Sequence, residues 1–419
     1  MKKYFAKAAA LFLFTAILFL QQGCVKDTCK ETHTYSYYVP VYKSVAEVRA
    51  NIKSNAPKAI VNPGKIYIKG NYIFLNEIDK GIHVIDNSNP ASPKNIVFID
   101  LPGNVDIVVK DNTMYADFYA DLAVINIADP LNVSLVKVVD KVFMERYYYG
   151  YNVDRTKVVT DWVKKTEVVK YDCNTGYMTP FSNNGVLANA IDAGMKAAAA
   201  PVGISGSLAR FTLINDHMYT VSSNDMNVID VAQAANPVIR SKVNIGFGIE
   251  TIYPFKDKLF IGSNNGMFIY SVQNPSSPVK LGTFTHARTC DPVIAEDSVA
   301  FVTLHSGSLC AGFSNQLDVL NITNLQSPQL IKSYPLTNPR GLSKDGNLLF
   351  ICDGGDGLKI FNAADLQNIA LLKQFPMTEA NDVIAFNHIA LVISKEALYQ
   401  FDYSDANNIK LLSSIKVQN

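Results

Sequence analysis

From about residue 59 onward the chain alternates short apolar runs with clusters of Gly, Asn, Asp, Ser and Pro. Runs of this length are too short for helices and match β-strands separated by turns. The clearest unit is Pro339 to Phe375, with apolar runs at Gly341–Ser343, Leu348–Cys352, Leu358–Phe361 and Ile369–Phe375. The breaks between them, at 344–347, 353–357 and 363–365, are rich in residues that tolerate positive φ. A four-stranded meander of this size predicts one blade of a β-propeller.

The unit repeats. Its third strand ends in an apolar triplet followed by Asp, Asn or Ser, at His83–Asp86, Ala123–Asn126, Asn227–Asp230, Phe268–Ser271, Asp318–Asn321, Lys359–Asn362 and Tyr399–Asp402. These anchors step by 40, 104, 41, 50, 41 and 40 residues, which predicts an all-β, seven-bladed β-propeller of four-stranded blades. The long step marks an insertion at about 143–206, between blades two and three. Within it, Lys157–Trp162 and Glu167–Tyr171 read as a hairpin across Lys164-Lys165. Val168–Asp172 resembles an anchor, but no outer strand follows it, so seven blades are expected rather than eight.

The anchors resemble those of LVIVD-repeat proteins, as does the segment Cys290-Asp291-Pro292-Val293 with Leu317-Asp318-Val319. The resemblance covers residue 59 to the end. It implies a bacterial surface β-propeller, commonly lipid-anchored, and carries no settled activity; fold alone would not license one.

The N-terminus is read as an address. Lys2, Lys3 and Lys7 precede an apolar run from Ala8 to Leu20, too short to span a bilayer and suited to a signal peptide. Gly23-Cys24 is what a lipoprotein cleavage site looks like, although Gln21 stands where Leu is usual. The expected organisation is a signal at 1–23, acylation of Cys24, a polar tether at 24–58 and the propeller at 59–419. Val25 rather than Asp after the cysteine favours the outer membrane, with the protein lipid-anchored and facing the periplasm or the cell surface. In the tether, Tyr35–Tyr42 suits an edge strand and Ser44 suits a helix cap.

Charge narrows the partners. The formal net charge is +1, and loss of the three leader lysines leaves −2. With no basic run, nucleic acid is not an expected partner. The membrane is, through the acyl anchor, and so is an envelope protein or glycan.

Aligning the blades on the second-strand residues Phe74, Tyr115, Tyr219, Phe260, Phe301, Phe350 and Leu391 places a charge nine or ten positions earlier in each: Lys65, Asp106, Arg210, Glu250, Asp291, Arg340 and Asp382. First strands line a propeller's channel, so all seven are expected at the mouth. Their alternating signs suggest a ring of ion pairs between blades, with ligand binding as the sharper reading. Glu250 and Asp291 are the neighbouring like charges, placed to share a divalent cation or to shift each other's pKa. No cofactor is otherwise expected.

Catalytic signatures are sparse. The six His show no metal-ligand spacing, and no nucleophile elbow, P-loop or dinucleotide fingerprint occurs. A binding or interaction scaffold is therefore the expected function; the enzymatic alternative is an envelope hydrolase or lyase acting on glycan through mouth carboxylates. Cys290, at the start of a first strand, and Cys310, in the following second-to-third-strand loop, are expected to form a disulfide in an exported setting.

Overall fold

The anchors explain why the blades recur. In the computed structural model, each third strand ends on a side chain that accepts from the backbone N–H two residues on. The pairs are Asp86 to Ser88 at 2.9 Å, Asn126 to Ala128 at 2.9 Å, Asp230 to Ala232 at 2.8 Å, Ser271 to Gln273 at 3.3 Å, Asn321 to Thr323 at 2.9 Å, Asn362 to Ala364 at 3.0 Å and Asp402 to Ser404 at 3.0 Å. This local bond turns the chain toward the outer strand without help from any neighbour. The inner turn, from first to second strand, is set by a left-handed residue in every blade: Gly70, Asp111, Asn215, Lys256, Asp297, Gly346 and Asn387.

The structure describes residues 30–143, 156–172, 186–187, 208–285, 292–306 and 314–418. The chain divides into two units, Pro40–Asp161 with Asp192–Asn419, and Met1–Val39 with Trp162–Ile191. The first contains seven antiparallel blades, spanning residues 63–100, 107–139, 211–244, 249–285, 293–335, 342–375 and 382–416. Within each blade the strands lie in sequence order, and the first strands of successive blades pack on one another. Every pairing of third with fourth strand carries a register shift at the same place. A bulge repeated on each outer edge twists that edge and blunts it against pairing with another chain.

Seven apolar clusters lie in the seven seams. The one joining blades seven and one packs Ile384, Leu391 and Ile393 against Ile66, Ile73 and Leu75, so the ring is closed. The Asn87 and Gln400 side chains exchange hydrogen bonds of 3.0 and 2.7 Å across that seam. Elsewhere tyrosines bolt blades one to four together: the Tyr67 hydroxyl donates to Val109 O at 3.0 Å, Tyr115 to Ala234 O at 2.7 Å, and Tyr219 to Pro275 O at 2.9 Å.

The stretch read as a tether carries ordered elements. A strand covers Lys30–Ser44, and a helix covers Val45–Ala50. Ser44 caps that helix in a capping box with Glu47, as its sequence suggested. Val48 and Ile52 enter the seam between blades one and two, and Ser54–Asn55 pairs with Phe98–Ile99 as a fifth strand on blade one.

One expectation is overturned in the insertion. Lys157–Asp172 is a single 16-residue strand, not a hairpin. Lys164-Lys165 offers no residue suited to a tight turn, while β-branched residues continue on both sides, so the chain stays extended. The strand lies beside Lys30–Ser44 in a three-stranded sheet, and Val168–Asp172 is part of it rather than of an eighth blade. In the smaller unit that sheet also pairs Tyr37 with Leu187 and Tyr38 with Val186. Among the described residues, no helix is long and apolar enough to cross a membrane.

Candidate functional site

The six described charge-bearing positions lie near the start of the first strands, where the chain enters each blade. Lys65 and Asp106 meet across the seam of blades one and two as an ion pair, both wholly buried. Asp106 Oδ2 also accepts the N–H groups of Arg210 at 2.7 Å and Phe211 at 3.0 Å, and its Oδ1 accepts that of Ile107 at 2.8 Å. One carboxylate thus fastens blades one, two and three. Burial pushes Lys65 down to about 8 although Asp106 pulls the other way, and Arg210 adds to the push. Burial likewise raises Asp106 above the ordinary carboxylate value, against the opposing pull of Lys65.

Asp117 supports Asp106 from beneath. Its Oδ1 accepts from the N–H groups of Val105 at 2.7 Å and Asp106 at 2.8 Å and from Asn104 Nδ2 at 2.8 Å. The same device recurs: Glu77 accepts the N–H groups of Val61 and Asn62, and Asp353 those of Thr337 and Asn338. An acid ending the second strand thereby fixes the loop that enters the same blade. Sequence reasoning missed these acids, although Glu77, Asp117 and Asp353 all stand within one residue of the end of a second strand.

At the far seam, Asp382 is buried on the first strand of blade seven. Its Oδ1 accepts from Val383 N–H at 2.9 Å, and its Oδ2 has no partner among the described residues. Burial holds this carboxyl well above the usual carboxylate range, and the charge of Lys65 opposes that only in part. Asp382 lies against Gly341, where a Cβ would stand 2.0 Å from Oδ1 and 2.8 Å from its Cα. Arg340, just before Gly341 in the chain, bonds not to Asp382 but to Asn381 Oδ1 at 2.7 Å, and its buried Nε has no partner among the described residues.

The seven positions therefore differ. Lys65, Asp106 and Asp382 are inside the wall, whereas Arg210, Glu250 and Arg340 are half-buried at the entry end. Asp291, Cys24, Cys290, Cys310 and Tyr147–Tyr151 lie outside the described residues. His83 serves packing: it is buried, with Nε2 3.1 Å from Glu77 and Nδ1 3.2 Å from Asn95. Among the described residues no group of three His, Cys, Asp or Glu is placed to hold a metal. At the opposite end of the first strands is a cavity of about 270 Å³, lined by Ile68, Tyr253, Ile294, Leu342 and Phe386 among others.

A closed ring of seven such blades is a seven-bladed β-propeller. The family described as the LVIVD repeat matches residues 63–98, almost the whole of blade one. The first blade is thus an LVIVD repeat within a β-propeller. A search of curated proteins returns no match. Among solved structures it is similar to the computationally designed Ika8 protein, at 9% identity, 87% of this chain, 90% of that chain and a TM-score of 0.53. A protein from Lactobacillus plantarum matches at 12% identity over 84% and 98%, with a TM-score of 0.52. The periplasmic gluconolactonase of Pseudomonas aeruginosa matches at 11% identity over 92% and 97%, also at 0.52. At such identities the likeness is one of fold.

Proposed function

We propose that this chain is an outer-membrane lipoprotein, acylated at Cys24, whose propeller is a binding scaffold that takes its ligand at the entry end of the channel. The observation that carries the reading is the division of labour among the charges. Lys65, Asp106 and Asp382 are buried in the seams, whereas Arg210, Glu250 and Arg340 keep some solvent access at the entry end; these three, with Asp291, are the groups we assign to the ligand. The buried Arg340 Nε, without a partner among the described residues, supports a polar ligand there. A divalent cation held between Glu250 and Asp291 belongs to the same proposal. The glycan-cleaving alternative has less support, because two of the belt carboxylates, Asp106 and Asp382, are spent on the wall.

Native mass spectrometry of the protein isolated from its own envelope tests this. A bound mass present in wild type and lost in Arg210→Ala with Arg340→Ala is the expected result. The same adduct on both proteins would overturn the placement of the site.

A further inference from the structure

One register position of the first strands is used differently around the ring. Tyr67, Tyr253, Ile294, Ser343 and Ile384 each lie opposite the equivalent second-strand residue of their blade, Phe74, Phe260, Phe301, Phe350 and Leu391. In blade one the tyrosine is committed, because its hydroxyl donates to Val109 O of the next blade at 3.0 Å. Tyr253 holds the same position in blade four. Its ring packs against the seams on both sides of blade five. Its hydroxyl makes no hydrogen bond among the described residues and is not one of the polar atoms sealed from water. Burial, with the Glu296 charge adding to it, holds this phenol above its ordinary value, so it remains a protonated donor.

Tyr253 lines the cavity of about 270 Å³ at the end opposite the charges. Ile294, Ser343 and Ile384 line it from the same position in blades five to seven, with Ile68 and Leu342 beside them. The other polar groups on this wall are engaged. Ser343 Oγ accepts the Ala385 N–H at 3.0 Å. Lys344 is ion-paired with Glu296 and also donates to Gly346 O in its own turn. Phe386 stands at the rim, 53% exposed. The turn after it is set by two left-handed residues, Asn387 and His388, with φ of 50° and 64°.

We infer that this cavity is a second binding site, for an uncharged molecule of bicyclic size that presents one hydroxyl or carbonyl to the Tyr253 hydroxyl. Size follows from volume. An apolar cavity of about 150 Å³ holds benzene, so about 270 Å³ admits two fused rings. A wholly apolar guest would cover the phenol and leave it unpaired, which costs an unmade hydrogen bond. A charged guest would find Lys344 and Glu296 already spent on each other. The site lies away from the entry end, and the inference stands apart from the ligand proposed there.

Equilibrium dialysis of the full-length protein at pH 7 tests this with four probes: 2-naphthol, naphthalene, 2-naphthoate and 1-decanol. The expected result is saturable binding of 2-naphthol at one site per chain, tighter than that of the other three. Tyr253→Phe should weaken 2-naphthol about threefold to tenfold and leave naphthalene unchanged. That split separates a lost hydrogen bond from a loosened wall, which would weaken both. Ala385→Leu, which narrows the cavity, should remove both; if it fails to fold, the comparison of the two probes on Tyr253→Phe decides alone. Arg210→Ala with Arg340→Ala should keep both, since those residues belong to the other end. Absence of saturable 2-naphthol binding, or equal 2-naphthol affinity for wild type and Tyr253→Phe, overturns the inference. So does tighter binding of 2-naphthoate or 1-decanol, which would identify an anionic or an acyl-chain ligand, or loss of 2-naphthol in the arginine variant, which would move the site to the entry end.

Discussion

Removing the Asp106 carboxylate should be among the most damaging single changes in the ring, and more damaging than removing its partner. Asp106→Ala leaves the Lys65 ammonium buried without its counter-ion, a situation that typically costs about 3–5 kcal/mol. It also strips the acceptor from three N–H groups, those of Ile107, Arg210 and Phe211. Each orphaned donor adds about 1 kcal/mol or more. The sum is at least about 6 kcal/mol, of the order of a whole domain's stability. Lys65→Met is milder, at about 2–3 kcal/mol, because Asp106 keeps all three N–H donors and burial already favours its protonated form. The double variant should cost less than the two single losses added together, since the charge stranded in each single variant is absent from it. Urea unfolding followed by far-ultraviolet circular dichroism gives the midpoints.

A second readout comes from the lowered Lys65 value of about 8 against an ordinary 10.5. Between those values the unfolded chain holds a proton that the folded one has released, so stability rises with pH across that window and Lys65→Met abolishes the rise. The slope is at most about 1.4 kcal/mol per pH unit. Equal losses for Lys65→Met and Asp106→Ala, or strict additivity in the double variant, would refute this account of the seam.

Four further outcomes follow from the same geometry and from the address. Asp382 is raised well above 3.8, so above that pH the folded chain keeps a proton that the unfolded chain loses, and stability declines as pH rises toward the folded value; Asp382→Asn should flatten this limb in pH-dependent thermal melts, and an unchanged slope would sink the assignment. Gly341→Ala forces a Cβ onto Asp382, with its backbone Cα 2.8 Å away, so a loss of about 3 kcal/mol is expected in urea titrations, and wild-type stability would contradict the packing of blades six and seven. Cys24→Ser should leave unacylated protein of precursor length that no longer floats with membranes; unchanged fractionation would end the lipoprotein proposal. Peptide mapping without reduction should find Cys290 joined to Cys310, a closure of about twenty residues contributing on the order of 3 kcal/mol, and free thiols at both positions would remove it.

What the chain reveals of itself follows how locally each feature is determined. The blade count was legible because each blade carries its own turn instructions: an Asp, Asn or Ser bonding two residues ahead, and a left-handed residue between first and second strands. Those contacts span a few residues and leave a mark in every repeat. The positions of the six described charges were legible for the same reason, since one strand register places them at one end. Their burial was not, because it depends on which neighbours converge from other blades. Lys65 is sealed by Asp106, some forty residues on, and Asp382 by a glycine in the blade before it. The simple alternation of sign also hid a choice of partner that only geometry makes, with Arg340 turning to Asn381 and Asp106 to backbone N–H groups. Lys157–Asp172 fails in the opposite direction: its local pattern allowed a hairpin, and a distant strand, Lys30–Ser44, decided for an extended one.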